Sequence, residues 1–152
     1  MYSTVHIDLL SKGSILSIWI FTLVLILRSD PESLHLFAFH PPAQTLALVF
    51  FTLGILTLQP TRLPNQKKQG LRRHQIIQLG LGFPIILFGS LSMFINKVQH
   101  HAPHFTTWHG LFGLVGLLWL VLHILIGVAT VWFPVKAFGS IDNGKALWKW
   151  HR

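Results

Sequence analysis

Apolar residues along this chain come in four long runs, not in the i, i+3, i+4 stripes of a soluble helix or the alternation of a half-buried strand. The first run is Ile15 to Leu27, bracketed by Lys12 and Arg28. The second is Leu36 to Leu58, the third Ile76 to Ile95, and the fourth Leu111 to Phe133. The last three carry no Asp, Glu, Lys or Arg, and each supplies the roughly 20 residues that a helix needs to cross a bilayer. The first is short for a span. No small-x-small cleavage site follows it, so it reads as a first span or signal anchor and not as a removed leader. In lipid, only helices and closed barrels satisfy their own backbone polar groups, and runs this continuous mean helices. The expected fold is an all-α integral membrane bundle of four transmembrane helices, at about 14–28, 36–58, 75–95 and 109–133. They form a single domain over residues 1–152, with a basic tail from 134 to 152.

Composition agrees with this pattern. Of the 152 residues, 51% are hydrophobic and only 11% charged, against about 25% charged in a soluble domain. The net charge of +8 points to topology and not to nucleic acid, because the basic residues lie between the apolar runs. The segment 59–73 holds Arg62, Lys67, Lys68, Arg72 and Arg73 with no acid, and the tail holds Lys136, Lys145, Lys149 and Arg152 against Asp142. With Lys12, these put ten of the twelve Lys and Arg residues on one side, which the positive-inside rule makes cytosolic together with both termini. Trp108, Trp132, Trp148 and Trp150 fall near the expected interfaces, as aromatic belts do. The chain has no cysteine, which excludes disulfides, thiolate metal sites, iron–sulfur ligation and covalent c-type haem attachment.

The candidate chemistry lies in histidines. His40, His74, His109 and His151 stand 34, 35 and 42 residues apart, about one span plus one loop each time. A chain that crosses the bilayer at each step puts His40 and His109 on one side and His74 and His151 on the other. Ionisable residues at membrane depth are costly, so each is a functional candidate, although a single histidine at a helix end is ordinarily just an interfacial polar residue. Two neutral imidazoles from facing helices can fill both axial positions of a haem iron, leaving no open position for oxygen or substrate. Gly110, Gly113 and Gly116 recur after His109, either to clear room for a flat macrocycle or as ordinary small-residue packing between membrane helices. Gly80, Gly82, Gly89 and a kinking Pro84 mark the third run, and Pro41 and Pro42 mean that a helix starts or bends at His40. His123 lies fourteen residues beyond His109 on nearly the same helical face. It is either a buried histidine bonded within the bundle, a minor participant near the cytosolic site, or a proton carrier.

Phe39-His40-Pro41, the basic stretch running into His74, Asn96-Lys97 ahead of Phe105-Thr106-Thr107-Trp108-His109-Gly110, and Leu147-Trp148-Lys149-Trp150-His151 recur here in a telling order. Together they resemble the cytochrome b561 family of ascorbate-reducible transmembrane b-type cytochromes. The resemblance implies a six-helix protein with two haem b groups, the iron of one held by His40 and His109 and that of the other by His74 and His151. It implies a transmembrane ascorbate-dependent oxidoreductase that passes electrons from cytosolic ascorbate to monodehydroascorbate or a ferric chelate. Lys67, Lys68, Arg72 and Arg73 would hold ascorbate, with lipid-headgroup contact as their other explanation. His104 and Phe105 would help build the second substrate site. His35, His100 and His101 share those non-cytosolic loops, as metal-attracting groups or as solvated ones. The implied setting is a multi-pass endomembrane protein of the endoplasmic reticulum, endosome or vacuole, embedded in the lipid bilayer, with room for a homodimer.

The sequence stops one residue after His151, so the resemblance predicts a chain cut before its fifth helix, with the His74–His151 pair short of a supporting helix. A haem-less or single-haem structural or assembly protein is the competing reading. A histidine-based transporter is disfavoured, because only His123 lies deep in a span and no Asp or Glu does.

Overall fold

A computed structural model describes residues 2–58 and 63–151 of the chain. Arg62 and Arg152, two of the basic residues counted above, lie outside the described residues. The fold is 88% helical, and no strand occurs among the described residues. Among the described residues, four helices are long and apolar enough to cross a membrane: His6–Arg28, His35–Leu56, Pro64–Gln99 and Trp108–Trp132. The expected all-α membrane bundle is therefore borne out, and the chain is a multi-pass integral membrane protein. Two compact units divide it, residues 1–102 and 103–152.

In the first unit, α1 (Tyr2–Arg28) extends well before the apolar run that announced it. Its polar residues are made tolerable locally. Lys12 Nζ pairs with Asp8 at 2.6 Å one turn back, and the Ser11, Ser17 and Thr22 hydroxyls each donate to the carbonyl four residues earlier at 2.8 Å. After a short α2 (Pro31–Leu34) and a 3₁₀ turn (His35–Phe39), α3 (His40–Leu56) begins at His40, with prolines in its first turn. There the missing N–H is no loss, so these prolines start the helix and do not bend it.

The third crossing is longer than its apolar run. α4 (Pro64–Ile77), a π-helical turn (Gln78–Gly82) and α5 (Phe83–Gln99) form one run of 36 residues from Pro64 to Gln99. Pro64 opens its first turn, and the Gln66 side-chain oxygen accepts from the Leu63 N–H at 3.2 Å. Lys67 to Arg73 are thus helical and not a linker. At about 1.5 Å per residue the run spans roughly 54 Å, well beyond a hydrocarbon core of roughly 30 Å, so its basic end projects past the apolar layer. Pro84 donates no hydrogen bond and its ring crowds the carbonyl one turn back. The π turn absorbs this, the Phe83 N–H reaching to the Gln78 carbonyl.

α3 is the central helix of this unit, packed on α1, α4 and α5. It meets its neighbours through small side chains: Ala43, Ala47 and Gly54 are buried on α3, as are Gly82, Gly89 and Ser92 on the partner run. Without a hydrophobic drive between helices in lipid, close backbone approach of this kind supplies the attraction. An apolar cleft of about 320 Å³ remains between α1, α3 and α5, lined by Trp19, Leu23, Pro42, Leu46, Ile85 and Phe88.

The second unit is built on α6 (Trp108–Trp132), whose first turn is capped by Thr107 Oγ1 accepting from the Gly110 N–H at 3.2 Å. The tail then folds back in three short helices, α7 (Pro134–Phe138), α8 (Ile141–Ala146) and α9 (Trp148–His151). Gly139 makes the turn between the first two with φ of 77°, which a side chain would resist. Ser140 caps α8 by accepting from the Asn143 N–H at 3.1 Å. Gly144 is packed so closely on α6 and α7 that a Cβ there would sit 2.9 Å from Pro134 Cβ and 3.4 Å from the Thr130 carbonyl.

Candidate functional site

His40 begins α3 and His74, on α4, packs against the other end of α3, and the two are held in the same way. His40, the first residue of α3, places Nδ1 2.9 Å from the carbonyl of Gly89 on α5. His74, near the end of α4, places Nδ1 3.1 Å from the carbonyl of Gly54 on α3. A carbonyl can only accept, so in both rings Nδ1 carries the proton and the lone pair of the neutral imidazole lies on Nε2. That is how a metal-ligating histidine is ordinarily set, its other N–H spent on a carbonyl that fixes tautomer and ring orientation. His40 and Gly54 are fourteen residues apart on α3, roughly 21 Å along the helix at about 1.5 Å per residue. The first unit therefore holds one oriented imidazole near each end of a membrane span.

Both acceptor glycines are closely packed, Gly89 against Ala43 and the His40 backbone and Gly54 against a side chain that can move. A Cβ on Gly89 would lie 2.9 Å from Ala43 Cβ, 3.1 Å from Gln44 Nε2 and 3.4 Å from the His40 carbonyl oxygen. A Cβ on Gly54 would lie 2.8 Å from Gln78 Nε2. Polar neighbours stiffen each contact. Gln44 Nε2 donates to the Ile86 carbonyl at 3.2 Å and to Ser90 Oγ at 2.9 Å, and Gln78 Nε2 donates to the Phe51 carbonyl at 3.1 Å.

The second unit presents His109 in the first turn of α6, and helical spacing puts Gly113, Gly116, His123 and Gly127 on the same face. A Cβ on Gly113 or Gly116 would meet nothing within 4 Å, so that face is smooth and open. Further along it the structure brings His123 and His151 together, their rings 4.4 Å apart and 17° from parallel. His123 Nε2 donates to the His151 carbonyl at 2.5 Å. The His151 ring lies over Gly127, where an added Cβ would fall 2.6 Å from Cε1. His151 is thus packed within its own unit, over Gly127 and against the His123 ring.

The other candidate residues divide by position. Lys67, Lys68, Arg72 and Arg73 are exposed along α4. At 100° per residue, Lys67 shares the face of Gly70 and His74, whereas Arg72 points away from it. His104 and Phe105 precede α6 with their rings 5.9 Å apart, and Phe105 has φ of 55°, a strained value for a bulky residue. Among the described residues, no three His, Cys, Asp or Glu side chains converge on a metal ion. A porphyrin iron needs only two protein ligands, and a neutral imidazole bonded through Nδ1, as His40 and His74 each are, is suited to be one of them.

Comparison with known proteins gives the class. The family model described as eukaryotic cytochrome b561 matches residues 39–152, and the chain belongs to this family of b-type haem membrane cytochromes. It is also 32% identical over 116 residues to a bovine (Bos taurus) protein named transmembrane reductase CYB561D2. That match covers 74% of this chain and 51% of the relative, so the chain spans about half the relative's length. No solved structure matches significantly.

The sequence pointed to the four histidines and to Gly89, but not to Gly54 and Gly127 as the backbone positions that receive His74 and His151. The available signal was glycine standing alone among Leu, Phe and Ile in otherwise bulky helices.

Proposed function

We propose that this chain is a transmembrane electron carrier that holds b-type haem through His40, His74, His109 and His151. In this reading residues 1–152 form one cytochrome b561-like domain. The order of crossings pairs His40 with His109 and His74 with His151. What carries the reading is the shared arrangement of His40 and His74: each gives its Nδ1 proton to a glycine carbonyl, at opposite ends of one helix.

A haem b held by these histidines would supply one-electron chemistry. The protein groups do the rest. The Gly89 and Gly54 carbonyls orient His40 and His74 and raise the basicity of their Nε2 atoms. Small residues along α6 keep side-chain bulk off the face that carries His109. Lys67 on the His74 face, with Lys68, Arg72 and Arg73 around it, draws an ascorbate anion to the cytosolic end. His104 and Phe105 serve the opposite end, where monodehydroascorbate or a ferric chelate accepts the electron. In this reading the excess of basic residues supports a cytosolic N-terminus and tail, in an endomembrane.

The test is a reduced-minus-oxidised spectrum of the purified protein in lipid. Ascorbate-reducible b-type bands are expected, and His109→Ala should remove the haem of the non-cytosolic pair while leaving the other. A wild-type protein that folds in lipid without such bands would make it a haem-less structural protein instead.

A further inference from the structure

Five histidines lie outside the proposed haem ligands and His123, namely His6, His35, His100, His101 and His104, and two of them, His35 and His100, meet. His35 opens the 3₁₀ turn before α3, and His100 follows the last turn of α5. Though 65 residues apart in sequence, their rings lie 5.1 Å apart at 49°. We infer that His35 and His100 form a binding site for a divalent late transition-metal ion, with Cu2+ preferred and Zn2+ next. The site lies at the end of the first unit opposite the basic residues of α4.

The spacing suits a shared ion. With metal–nitrogen bonds of about 2.0–2.1 Å and ligands at right or tetrahedral angles, two imidazole centroids fall roughly 4.5–5.2 Å apart. His100 is already oriented, since its Nδ1 donates to the Asn96 carbonyl one turn back at 2.7 Å, which leaves the lone pair of the neutral ring on Nε2. Both residues are exposed, so water can complete the coordination and the ring of His35 can turn to meet the ion. His35 has φ of 48°, a left-handed value that histidine tolerates better than most side chains.

The donor set selects the metal. Two imidazoles, in a chain without cysteine, suit Cu2+, Ni2+ and Zn2+, whereas Ca2+ and Mg2+ need oxygen-rich sites. Copper leads by the general order of divalent affinities. The consequence is structural as well as chemical. An ion held here joins the end of α5 to the turn His35–Phe39, which runs directly into His40. It would clamp the entry of α3 independently of whether His40 holds haem.

The experiment uses untagged full-length protein in phospholipid nanodiscs, titrated with Cu2+ and followed by equilibrium dialysis and electron paramagnetic resonance. One ion per chain is expected, with nitrogen couplings from two imidazoles. His35→Ala and His100→Ala should each weaken binding at least about tenfold and leave one imidazole, since losing a ligand costs no less than losing its support. His101→Ala, at the neighbouring exposed histidine, should change neither affinity nor spectrum. In unaltered protein, Cu2+ or Zn2+ should protect His35 and His100 together from diethyl pyrocarbonate, read by peptide mass spectrometry. A His35→Ala/His100→Ala protein that binds Cu2+ as the wild type does overturns the site. So does wild-type protein in which neither histidine is protected.

Discussion

Gly89→Ala is the sharpest perturbation of the His40 site, because it adds one methyl group where two helices touch. The new Cβ would meet Ala43 Cβ at 2.9 Å, and ordinary carbon–carbon contacts lie at about 3.5–4.0 Å. Neither partner can swing aside: Ala43 has no rotamer, and the next contacts are Gln44, already bonded twice, and the His40 backbone. α3 and α5 must therefore part by roughly 0.5–1 Å, an overpacking that costs about 1–3 kcal/mol. The same shift stretches the 2.9 Å bond from His40 Nδ1 to the Gly89 carbonyl, whose loss adds about 0.5–1.5 kcal/mol. Losing such a support should weaken metal-group retention by roughly 10–100-fold. Haem per chain after dilution, with redox titration of what remains, reads this directly. Gly13→Ala on α1 is the control, since a Cβ there meets nothing within 4 Å. Wild-type haem retention and potential in Gly89→Ala would refute the account of His40.

Gly54→Ala should be milder at His74, under about 1 kcal/mol, because the obstructing atom is the far end of the Gln78 side chain; thermal unfolding in lipid should rank it well above Gly89→Ala. Gly127→Ala drives a methyl into the His151 ring and should lower haem occupancy to the His40–His109 pair alone while the helical circular dichroism stays unchanged; full occupancy would show that His151 ligates in another position. Lys67→Ala should raise KM for ascorbate roughly fivefold, with a much smaller effect from Arg72→Ala, since only Lys67 shares the His74 face. Equal effects would mean that the basic cluster acts through net charge and topology. His123→Ala removes both the bond to the His151 carbonyl and the stacked ring, and should shift the cytosolic haem potential without abolishing its spectrum.

Much of this protein was readable as a one-dimensional pattern. Uninterrupted apolar runs determine membrane helices, because lipid leaves the backbone no other partner than itself. The histidine spacing of one span plus one loop determines which ends of the helices they occupy, and the family motifs around them agree. The limits of the helices were less visible. α1 absorbs Asp8 and Lys12 through a local ion pair, and the third crossing starts at Pro64 among basic residues that look like linker. Hydropathy cannot register a helix that continues out of the apolar layer into water.

Tertiary structure alone decided what each histidine touches. The carbonyls of Gly89 and Gly54 carry no side-chain signature, since every residue has one; only helix packing selects those two as acceptors for His40 and His74. The return of the tail that lays His151 on Gly127 and His123 depends on a left-handed turn at Gly139 and close packing at Gly144, and the meeting of His35 with His100 spans 65 residues of chain. Sequence determined the four crossings and the heights of the candidate ligands, because those follow from local composition and distance along the chain. The orientations of the His40 and His74 rings were decided by which backbone carbonyl comes within hydrogen-bonding distance, 2.9 and 3.1 Å, and that depends on contacts between residues far apart in sequence.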